Sequence, residues 1–198
     1  MKVVLATRNA HKVEEVQRIL SPYDVELVSL NEFPDVADVA ETGATFADNA
    51  LLKAEAVAHA TGVTALADDS GLAVAALNGM PGVLSARWAG RQRDDVANLQ
   101  LVLDQIADVP DERRGAAFVC AAAAVTPSGE RLVVEGRVEG VVIRAPRGAN
   151  GFGYDPIFVP VGEERTTAEM SAAEKDAISH RGKAFRTLAP RLAELGSP

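Results

Sequence analysis

The first residues with evident chemistry stand near the start of the chain, where an apolar stretch runs into a polar turn. Residues 2–6 predict a short strand, and Thr7, Asn9 and Lys12 follow at the start of a predicted helix. A turn from strand to helix directs backbone N–H groups and the positive end of the helix toward one place, which suits a phosphate group. The spacing is not that of a Walker loop, and an ordinary capped helix with a surface lysine would show the same pattern.

A second group of candidates is acidic. Asp68-Asp69-Ser70-Gly71 follows the predicted strand 64–67, and strand ends are favoured places for ligand groups in α/β sheets. Neighbouring strand residues point to opposite faces, so at most one aspartate should face a site unless the chain already turns, as Gly71 would permit. Glu41 is a second candidate carboxylate for a divalent ion, and Mg²⁺ typically takes one or two. A solvated Asp-Asp turn is the alternative.

Lysine is rare in this chain, and two lysines stand in suggestive places. There are 15 arginines but only five lysines, and a compact ammonium suits a phosphate oxygen as a point charge. Lys53 lies four residues after Asn49, so both share one face of a helix predicted over residues 46–60. Thr45 and Asp48 predict a capping box at its start. A solvated helical face would explain the same pair.

The third group of candidates combines glycines, aromatic rings and cations. Phe152 and Tyr154 stand among three glycines in residues 148–156, where a ring could stack on a base or simply anchor the loop. Ser179-His180-Arg181 follows, with Lys175 upstream. Arg and His side chains can donate hydrogen bonds to a purine carbonyl oxygen, although on a lone helix they are usually surface residues.

The elements that must position these residues alternate irregularly between strands and helices. Strands are predicted over residues 2–6, 25–30, 64–67, 116–125 and 132–143, and helices over residues 13–20, 46–60, 96–106 and 178–195. The alanine-rich segment 116–125 favours a helix by propensity, but its bounding glycines and the Pro-Ser-Gly turn after it favour a hairpin strand. A mixed sheet with helices on its faces is the expected architecture.

Composition limits the classes of function. The 198 residues are 47% hydrophobic and 24% charged, which is typical of a globular protein, and the net charge of −8 argues against binding a nucleic-acid polymer. No apolar stretch reaches the length of a membrane span, and Cys120 is the only cysteine, so a disulfide within the chain is excluded. We expect a cytoplasmic protein with no membrane partner.

Taken in order, the motifs closely resemble those of the inosine triphosphate pyrophosphatase family. The motifs that carry the resemblance are Thr7-x-Asn9-x-x-Lys12, Glu41-Thr42-Gly43, Asn49-x-x-x-Lys53, Asp68-Asp69-Ser70-Gly71, Gly151-Phe152-Gly153-Tyr154-Asp155-Pro156 and Ser179-His180-Arg181-Gly182. The resemblance implies hydrolysis of ITP, dITP and XTP to the monophosphate and pyrophosphate. It also implies one domain over residues 1–198, Mg²⁺ dependence, a homodimer, and an elongated two-lobed α/β fold. In that fold a long mixed central sheet is flanked by helices, and the active site lies in the cleft between the lobes.

The resemblance also assigns roles to individual residues. Glu41 and Asp69 would hold Mg²⁺, and Asp69 would be the base that takes a proton from the attacking water. Phe152 would stack on the purine. The substrate-contacting turn would comprise Thr7, Arg8, Asn9, Ala10, His11 and Lys12, with Lys12 on the phosphates. Lys53 and Ser70 would contact the triphosphate side, and Gly153, Tyr154 and Asp155 would shape the base pocket. Lys175, His180 and Arg181 would bind substrate, the last two at the base.

Two alternatives to this interpretation remain at the level of sequence. The septum-inhibitor-like pyrophosphatases share the opening strand and its Ser/Thr-Lys turn but favour other bases, and the Gly-Phe-Gly-Tyr-Asp-Pro and Ser-His-Arg motifs count against them. A nucleotide-sensing regulator without catalysis is disfavoured by Glu41 and Asp69, because binding alone requires cations more than carboxylates. The sequence does not rank ITP against XTP, or ribose against deoxyribose.

Overall fold

The computed structural model describes residues 1–195 and contains one mixed six-stranded sheet. The strands are β1 (Lys2–Leu5), β2 (Glu26–Ser29), β3 (Ala65–Val74), β4 (Gly115–Val125), β5 (Arg131–Val142) and β6 (Phe158–Pro160). Their order in the sheet is β2-β1-β3-β4-β5-β6. β1 pairs in parallel with β2 and β3, whereas β5 and β6 are antiparallel. The predicted mixed sheet is therefore confirmed.

Five α-helices accompany the sheet. They are α1 (Ala10–Leu20), α2 (Phe46–Thr61), α3 (Asp95–Gln105), α4 (Ala172–Ile178) and α5 (His180–Leu188). α2 begins with the predicted capping box, in which Thr45 and Asp48 bond each other's backbone N–H groups, and it ends at Gly62 in the left-handed region. No helix within residues 1–195 is long and apolar enough to cross a membrane.

The chain forms two compact units. Among the described residues, unit 1 comprises residues 1–69, 120–136 and 181–195, and unit 2 comprises residues 70–119 and 137–180. The long mixed sheet, its flanking helices and the two units agree with the predicted α/β fold. The assignment of residues 1–198 to a single domain stays a prediction.

Unit 1 buries both faces of its part of the sheet, as the alternation of its strands dictates. Val3 and Leu5 of β1 pack with residues of α1 and α5 in one core, which includes the fully buried Phe185. Val4 of β1 packs with α2 residues, among them Val57, in the other core. Helices therefore cover the two faces of the same strands, with α1 and α5 on one and α2 on the other.

The alanine-rich segment forms strand β4, as predicted. Ala122 and Ala124 belong to the core beside α1 and α5, and Ala121 and Ala123 belong to the core beside α2. Methyl groups on both faces let helices approach the sheet closely, so packing overrides the intrinsic preference of alanine for helix. The turn to β5 closes through a hydrogen bond from the Thr126 N–H to the carbonyl oxygen of Glu130.

Unit 2 has its own core, in which α3 packs against the strands. Leu99, Val102 and Ile106 of α3 contact apolar residues of β3, β4 and β5, together with Phe118 and Phe158. The Tyr154 hydroxyl donates a hydrogen bond to the backbone carbonyl oxygen of Ser85, at 2.7 Å. This bond satisfies a buried polar group and ties the glycine-rich loop to the 3-10 helix Gly82–Arg87.

Three local predictions were wrong. β3 does not stop at Asp68 but continues through the Asp-Asp-Ser-Gly segment, because Leu72 and Val74 beyond it are fully buried. The single helix predicted over residues 178–195 is interrupted at Ser179, whose backbone is extended, and gives way to a 3-10 helix after Leu188. The three-residue strand β6 was not predicted, because a run that short carries no periodic signal.

Gly71 lies in the middle of β3, and the structure leaves no room there for a larger residue. A methyl group on its α-carbon would overlap the Ser85 hydroxyl and the carbonyl oxygen of Gly82. We expect Gly71→Ala to destabilise the protein by about 1–3 kcal/mol through overpacking, measured by urea unfolding.

Gly115→Ala is the matched control for this test. Gly115 also lies in a strand, and a methyl group there would meet no heavy atom within 4 Å. Its unfolding midpoint should stay near that of the unmodified protein. Equal midpoints for the two variants would show that the space around Gly71 adapts.

Candidate active site

Asp68 and Asp69 stand next to each other in β3, and their side chains point to opposite faces of the strand. Asp68 contacts residues of α1 and α5, whereas Asp69 contacts residues of α2. Both are buried. The prediction that only one of them should face a given site is confirmed by this alternation.

Around Asp69 the structure gathers two carboxylates, one ammonium and one amide. Lys53 Nζ lies 2.8 Å from Glu41 Oε1 and 3.3 Å from Asp69 Oδ1. Asn49 Nδ2 donates to Asp69 Oδ2 at 3.0 Å, and the Asn49 side-chain oxygen accepts the Gly43 N–H at 2.7 Å. Because Asn49 and Lys53 are one turn apart on α2, the predicted shared face is confirmed, and it turns toward Asp69 rather than solvent.

Burial shapes the protonation of this group. Burial raises the pKa of Asp69 above its ordinary value, although the Lys53 ammonium opposes the shift. Burial also disfavours the charged form of Lys53, but Asp69, Asp68 and Glu41 outweigh it and raise the pKa of Lys53. Asp69 therefore holds a proton more readily than an exposed aspartate does, which is the property that a general base requires.

Glu41 and Asp69 form a donor set that fits Mg²⁺. An oxygen of each lies beside the same cation, the Lys53 ammonium, so both carboxylates point toward one place. Residues 1–195 hold no group of three or more His, Cys, Asp and Glu side chains suited to a metal. Mg²⁺ does not need one, because it usually takes one or two carboxylates and completes its octahedron with water and substrate phosphate.

Around Asp68 the structure forms a buried network of alternating charges. Lys12 Nζ donates to Asp68 Oδ2 at 3.0 Å, and Arg181 Nε and Nη2 donate to the same oxygen at 3.3 and 3.2 Å. Arg181 Nη1 donates to Glu15 Oε2. Burial would disfavour the Asp68 carboxylate, but Lys12 and Arg181 outweigh it and hold the pKa of Asp68 well below its usual range.

The turn between β1 and α1 is built as the sequence predicts. The Asn9 side-chain oxygen accepts the Lys12 N–H and caps α1, and the Thr7 hydroxyl accepts the Asn9 N–H. Ala10 and His11 form the first turn of the helix. The substrate contacts assigned to this turn stay predictions.

In unit 2, Asp155 is the centre of a second buried network. Its Oδ2 accepts hydrogen bonds from Lys175 Nζ at 2.6 Å and from the Phe152 N–H at 2.9 Å. Its Oδ1 accepts the Thr167 hydroxyl at 2.7 Å. Lys175 Nζ also lies 4.9 Å from the centroid of the Phe152 ring, within the range of a cation–π interaction. One carboxylate thus fixes both a cation and the loop that carries an aromatic ring.

A small cavity in unit 2 brings three of the predicted substrate-binding residues together. Its lining includes Asp155, Lys175 and His180, together with Phe118 and Thr167. The His180 ring stacks on Phe118, with centroids 4.7 Å apart and planes within 9°. The orientation of the imidazole is therefore set by packing against β4.

The remaining predicted site residues of unit 2 lie beside these elements. Ser70 is half-buried in β3, and Tyr154 is held by its bond to Ser85. The Gly153 N–H donates to Asp95 Oδ2 at 3.0 Å, which joins the glycine-rich loop to the start of α3. Gly153 has a φ of +61°, so the turn favours glycine there.

Comparison with known proteins identifies the family. The Ham1 family model matches residues 3–191. The chain is 59% identical to the dITP/XTP pyrophosphatase of Streptomyces coelicolor, over 98% of each chain. It is also 59% identical to that of Mycobacteroides abscessus, over 98% of this chain and 96% of the relative. This chain belongs to the Ham1 family.

Solved structures of Ham1 proteins share the fold. A HAM1 protein from Coxiella burnetii is 44% identical, with a TM-score of 0.89 over 98% of this chain and 99% of that chain. The crystal structure of a nucleoside-triphosphatase, a dITP/XTP pyrophosphatase from Mycobacterium abscessus, is 59% identical with a TM-score of 0.78 over 96% and 100%. Between the two pyrophosphatase families considered from sequence, the Ham1 match decides against the septum-inhibitor-like one.

Three residues that contact the predicted site residues could not be predicted from the sequence. Glu15, Phe118 and Thr167 contact Arg181, His180 and Asp155 from distant parts of the chain. Of the three, only Glu15 could have been suspected from the sequence. It lies beside Val16 on the buried face of α1, where a carboxylate requires a partner. Sequence separation hides such contacts, because nothing local marks them.

The Glu15–Arg181 pair offers a direct test of the buried network. Glu15→Ala would leave the Arg181 guanidinium buried with less compensating charge, so we expect a loss of about 3–5 kcal/mol in the free energy of unfolding. Glu14 is the adjacent exposed glutamate, and Glu14→Ala should change stability by less than about 0.5 kcal/mol. Urea unfolding of the two variants measures both, and equal losses would contradict a special role for Glu15.

Proposed function

We propose that this protein hydrolyses the triphosphates of deaminated purine nucleosides, ITP, dITP and XTP, to the monophosphate and pyrophosphate. The observation that carries the proposal is the convergence of Asp69, Glu41 and Lys53 at the face of β3 covered by α2. Asp69, held by Asn49 and facing the same cation as Glu41, suits metal-assisted hydrolysis of a phosphoanhydride. The names of the Streptomyces and Mycobacteroides relatives point to the same reaction.

The reaction transfers a nucleotidyl group to water. The oxygen of water attacks the α-phosphorus, the bond from the α-phosphorus to the bridging oxygen breaks, and pyrophosphate leaves with that oxygen. Asp69 accepts the proton of the attacking water. Asn49 fixes the Asp69 carboxylate through its hydrogen bond to Oδ2, so that the proton acceptor keeps one orientation.

Charge on the leaving pyrophosphate must be neutralised by cations. Lys12 and Lys53 supply two ammonium groups in unit 1, and the start of α1 supplies backbone N–H groups. Glu41 and Asp69 would hold Mg²⁺, which adds positive charge at the phosphates when bound. Thr7, Asn9, Ala10 and His11 of the same turn would line the phosphate site.

Unit 2 would bind the base. Phe152 would stack on the purine, and Lys175, whose ammonium lies at the Phe152 ring, would donate a hydrogen bond, together with His180, to the 6-oxygen that hypoxanthine and xanthine carry. Adenine has an amino group at that position, so donors in the pocket would be left unpaired when ATP binds. Arg181 belongs to this proposal as a second base donor, although its Nε, Nη1 and Nη2 donate to carboxylates of unit 1.

We also propose that the protein is a homodimer in the cytoplasm. A pyrophosphate-release assay tests the proposed activity. The assay compares ITP, XTP, GTP, dUTP and ATP, each with and without Mg²⁺. Release from ITP and XTP alone, and only with Mg²⁺, is the expected result. Tight nucleotide binding without release would favour a nucleotide sensor, and preference for dUTP would favour a pyrimidine-directed enzyme.

Asp69→Asn removes the proposed base while keeping the size of the side chain. We expect kcat for ITP to fall by a factor of about 100 or more, because a general base commonly contributes this much. The melting temperature should stay close to that of the unmodified protein. Asp108→Asn, at an exposed position, is the matched control and should keep full activity. Near-normal turnover by a folded Asp69→Asn protein would contradict the assignment.

Substitution of lysines separates phosphate contacts from base contacts. Lys12→Ala and Lys53→Ala should lower kcat/KM for ITP and ATP by similar factors of about 10–100, because both substrates carry the same phosphates. Lys175→Met should instead lower the ITP-to-ATP ratio of kcat/KM, since Lys175 lies at the Phe152 ring.

Exposed lysines provide the controls for these variants. Lys2→Ala and Lys183→Met change the same residue type outside the proposed site and should leave both the rate and the ratio unchanged. If Lys12→Ala shifted the preference between bases, that lysine would have been assigned to the wrong end of the substrate.

A further inference from the structure

The Arg8 guanidinium makes four hydrogen bonds to a single loop. Nη1 donates to the carbonyl oxygen of Leu30 at 3.0 Å, and Nη2 donates to those of Phe33 and Val36 at 3.3 and 2.6 Å. Nε donates to Asp38 Oδ1 at 3.3 Å. Three of the four acceptors are backbone carbonyl groups, so these contacts hold the course of the main chain rather than another side chain.

The loop has little regular structure to hold it otherwise. Residues 33–45 lie outside helices and strands, after a single 3-10 turn at Leu30–Glu32. At the start of this segment, two backbone N–H groups donate hydrogen bonds to carbonyl oxygens three residues earlier in the chain: Phe33 to Leu30 and Val36 to Phe33. Arginine is suited to bind such a segment, because its planar fork presents five donors in fixed directions.

The same loop delivers Glu41, three residues after Asp38. In the structure Glu41 Oε1 also accepts a hydrogen bond from Lys53. An ammonium and a divalent cation repel each other, so Lys53 would hold Glu41 less tightly if Glu41 and Asp69 bound a divalent cation. The hydrogen bonds from Arg8 to the backbone before Glu41 involve neither carboxylate, so a bound cation would not compete with them.

We infer that Arg8 is a positioning residue that holds the loop 30–38 and thereby places the Glu41 carboxylate for the metal. This inference rests on the proposed function. It assigns to Arg8 a role different from the substrate contact that its place in the Thr7–Lys12 turn suggests. It also links the phosphate-binding turn to Glu41 through one side chain, because Arg8 stands between Thr7 and Asn9.

The first experiment measures hydrogen exchange of the protein without metal or nucleotide. In Arg8→Gln, the hydrogen-bonded backbone amides of the loop, those of Phe33 and Val36, should exchange about ten times faster or more, while those of α2 keep their rates. Arg8→Lys should behave similarly, because one ammonium cannot reach four acceptors spread over nine residues. Asp38→Asn is the control: the Asp38 side chain is 87% exposed, so removing this ion pair alone should change little.

The second experiment measures the Mg²⁺ concentration that gives half-maximal pyrophosphate release at saturating ITP. In Arg8→Gln and Arg8→Lys it should rise about 10–100-fold, the usual effect of losing a group that orients a metal ligand. At saturating Mg²⁺, kcat and the KM for ITP should return close to those of the unmodified protein. Asp38→Asn should keep the original Mg²⁺ requirement.

Two results would overturn the inference. Unchanged exchange of the Phe33 and Val36 amides in both Arg8 variants would show that Arg8 does not hold the loop, whether or not the protein hydrolyses ITP. Faster exchange with an unchanged Mg²⁺ requirement and a raised KM for ITP would show instead that Arg8 contacts the substrate. A protein that released no pyrophosphate from any nucleotide would contradict the proposed function and leave the exchange experiment to decide on the loop.

Discussion

The site depends on one constraint, the burial of two adjacent carboxylates in the middle of a strand. Asp68 and Asp69 follow each other in β3, and strand geometry sends them to opposite faces. Each carboxylate therefore needs cations from a different set of elements. α1 and α5 supply Lys12 and Arg181 to Asp68, and α2 supplies Lys53 to Asp69.

The need to neutralise these carboxylates explains why distant segments converge at β3. An isolated buried carboxylate costs several kcal/mol, and it either takes up a proton or acquires partners. Asp68 has acquired two cations and stays ionised, and the guanidinium of Arg181 in turn acquires Glu15. Because each of these charges is buried, removing one leaves its neighbour buried without a compensating charge. A substitution at Glu15 is therefore expected to affect Asp68 through Arg181, although Glu15 has no role in the proposed reaction.

Much of the site follows from local sequence rules. The opposite orientation of Asp68 and Asp69 follows from a period of two, and the shared direction of Asn49 and Lys53 follows from their spacing on α2. The cap of α1 by Asn9 and the capping box of α2 are equally local. In each case the residues concerned are within four positions of one another, so the regular geometry of a strand or helix determines their relative directions.

The continuation of β3 and the helix break at Ser179 could not be predicted, because both depend on contacts between residues far apart in the chain. Asp-Asp-Ser-Gly is typical of a turn, yet β3 continues through it, because cations from α1, α2 and α5 make the burial of both aspartates possible. The break at Ser179 is similar. It starts a new helix at His180, whose ring stacks on Phe118, while the next residue, Arg181, donates to Asp68. Neighbours in one motif thereby acquire different partners, which spacing alone does not reveal.

The formal charges of the two sides of β3 differ, and this difference bears on which side takes a metal. On the Asp68 side, two carboxylates face two cations, Lys12 and Arg181, so the charges balance. On the Asp69 side, the carboxylates of Asp69 and Glu41 share the single ammonium of Lys53, and one negative charge remains. The second side, with its excess negative charge, would therefore attract a divalent cation more strongly than the first side. The excess charge also accounts for the raised pKa of Lys53, because its proton helps to neutralise both carboxylates. Two adjacent residues of the same type thus acquire distinct chemistry, because the surrounding helices supply them with different numbers of cations. Asp68 is an ion-pair partner within the core, and Asp69 is a candidate base beside the proposed metal site.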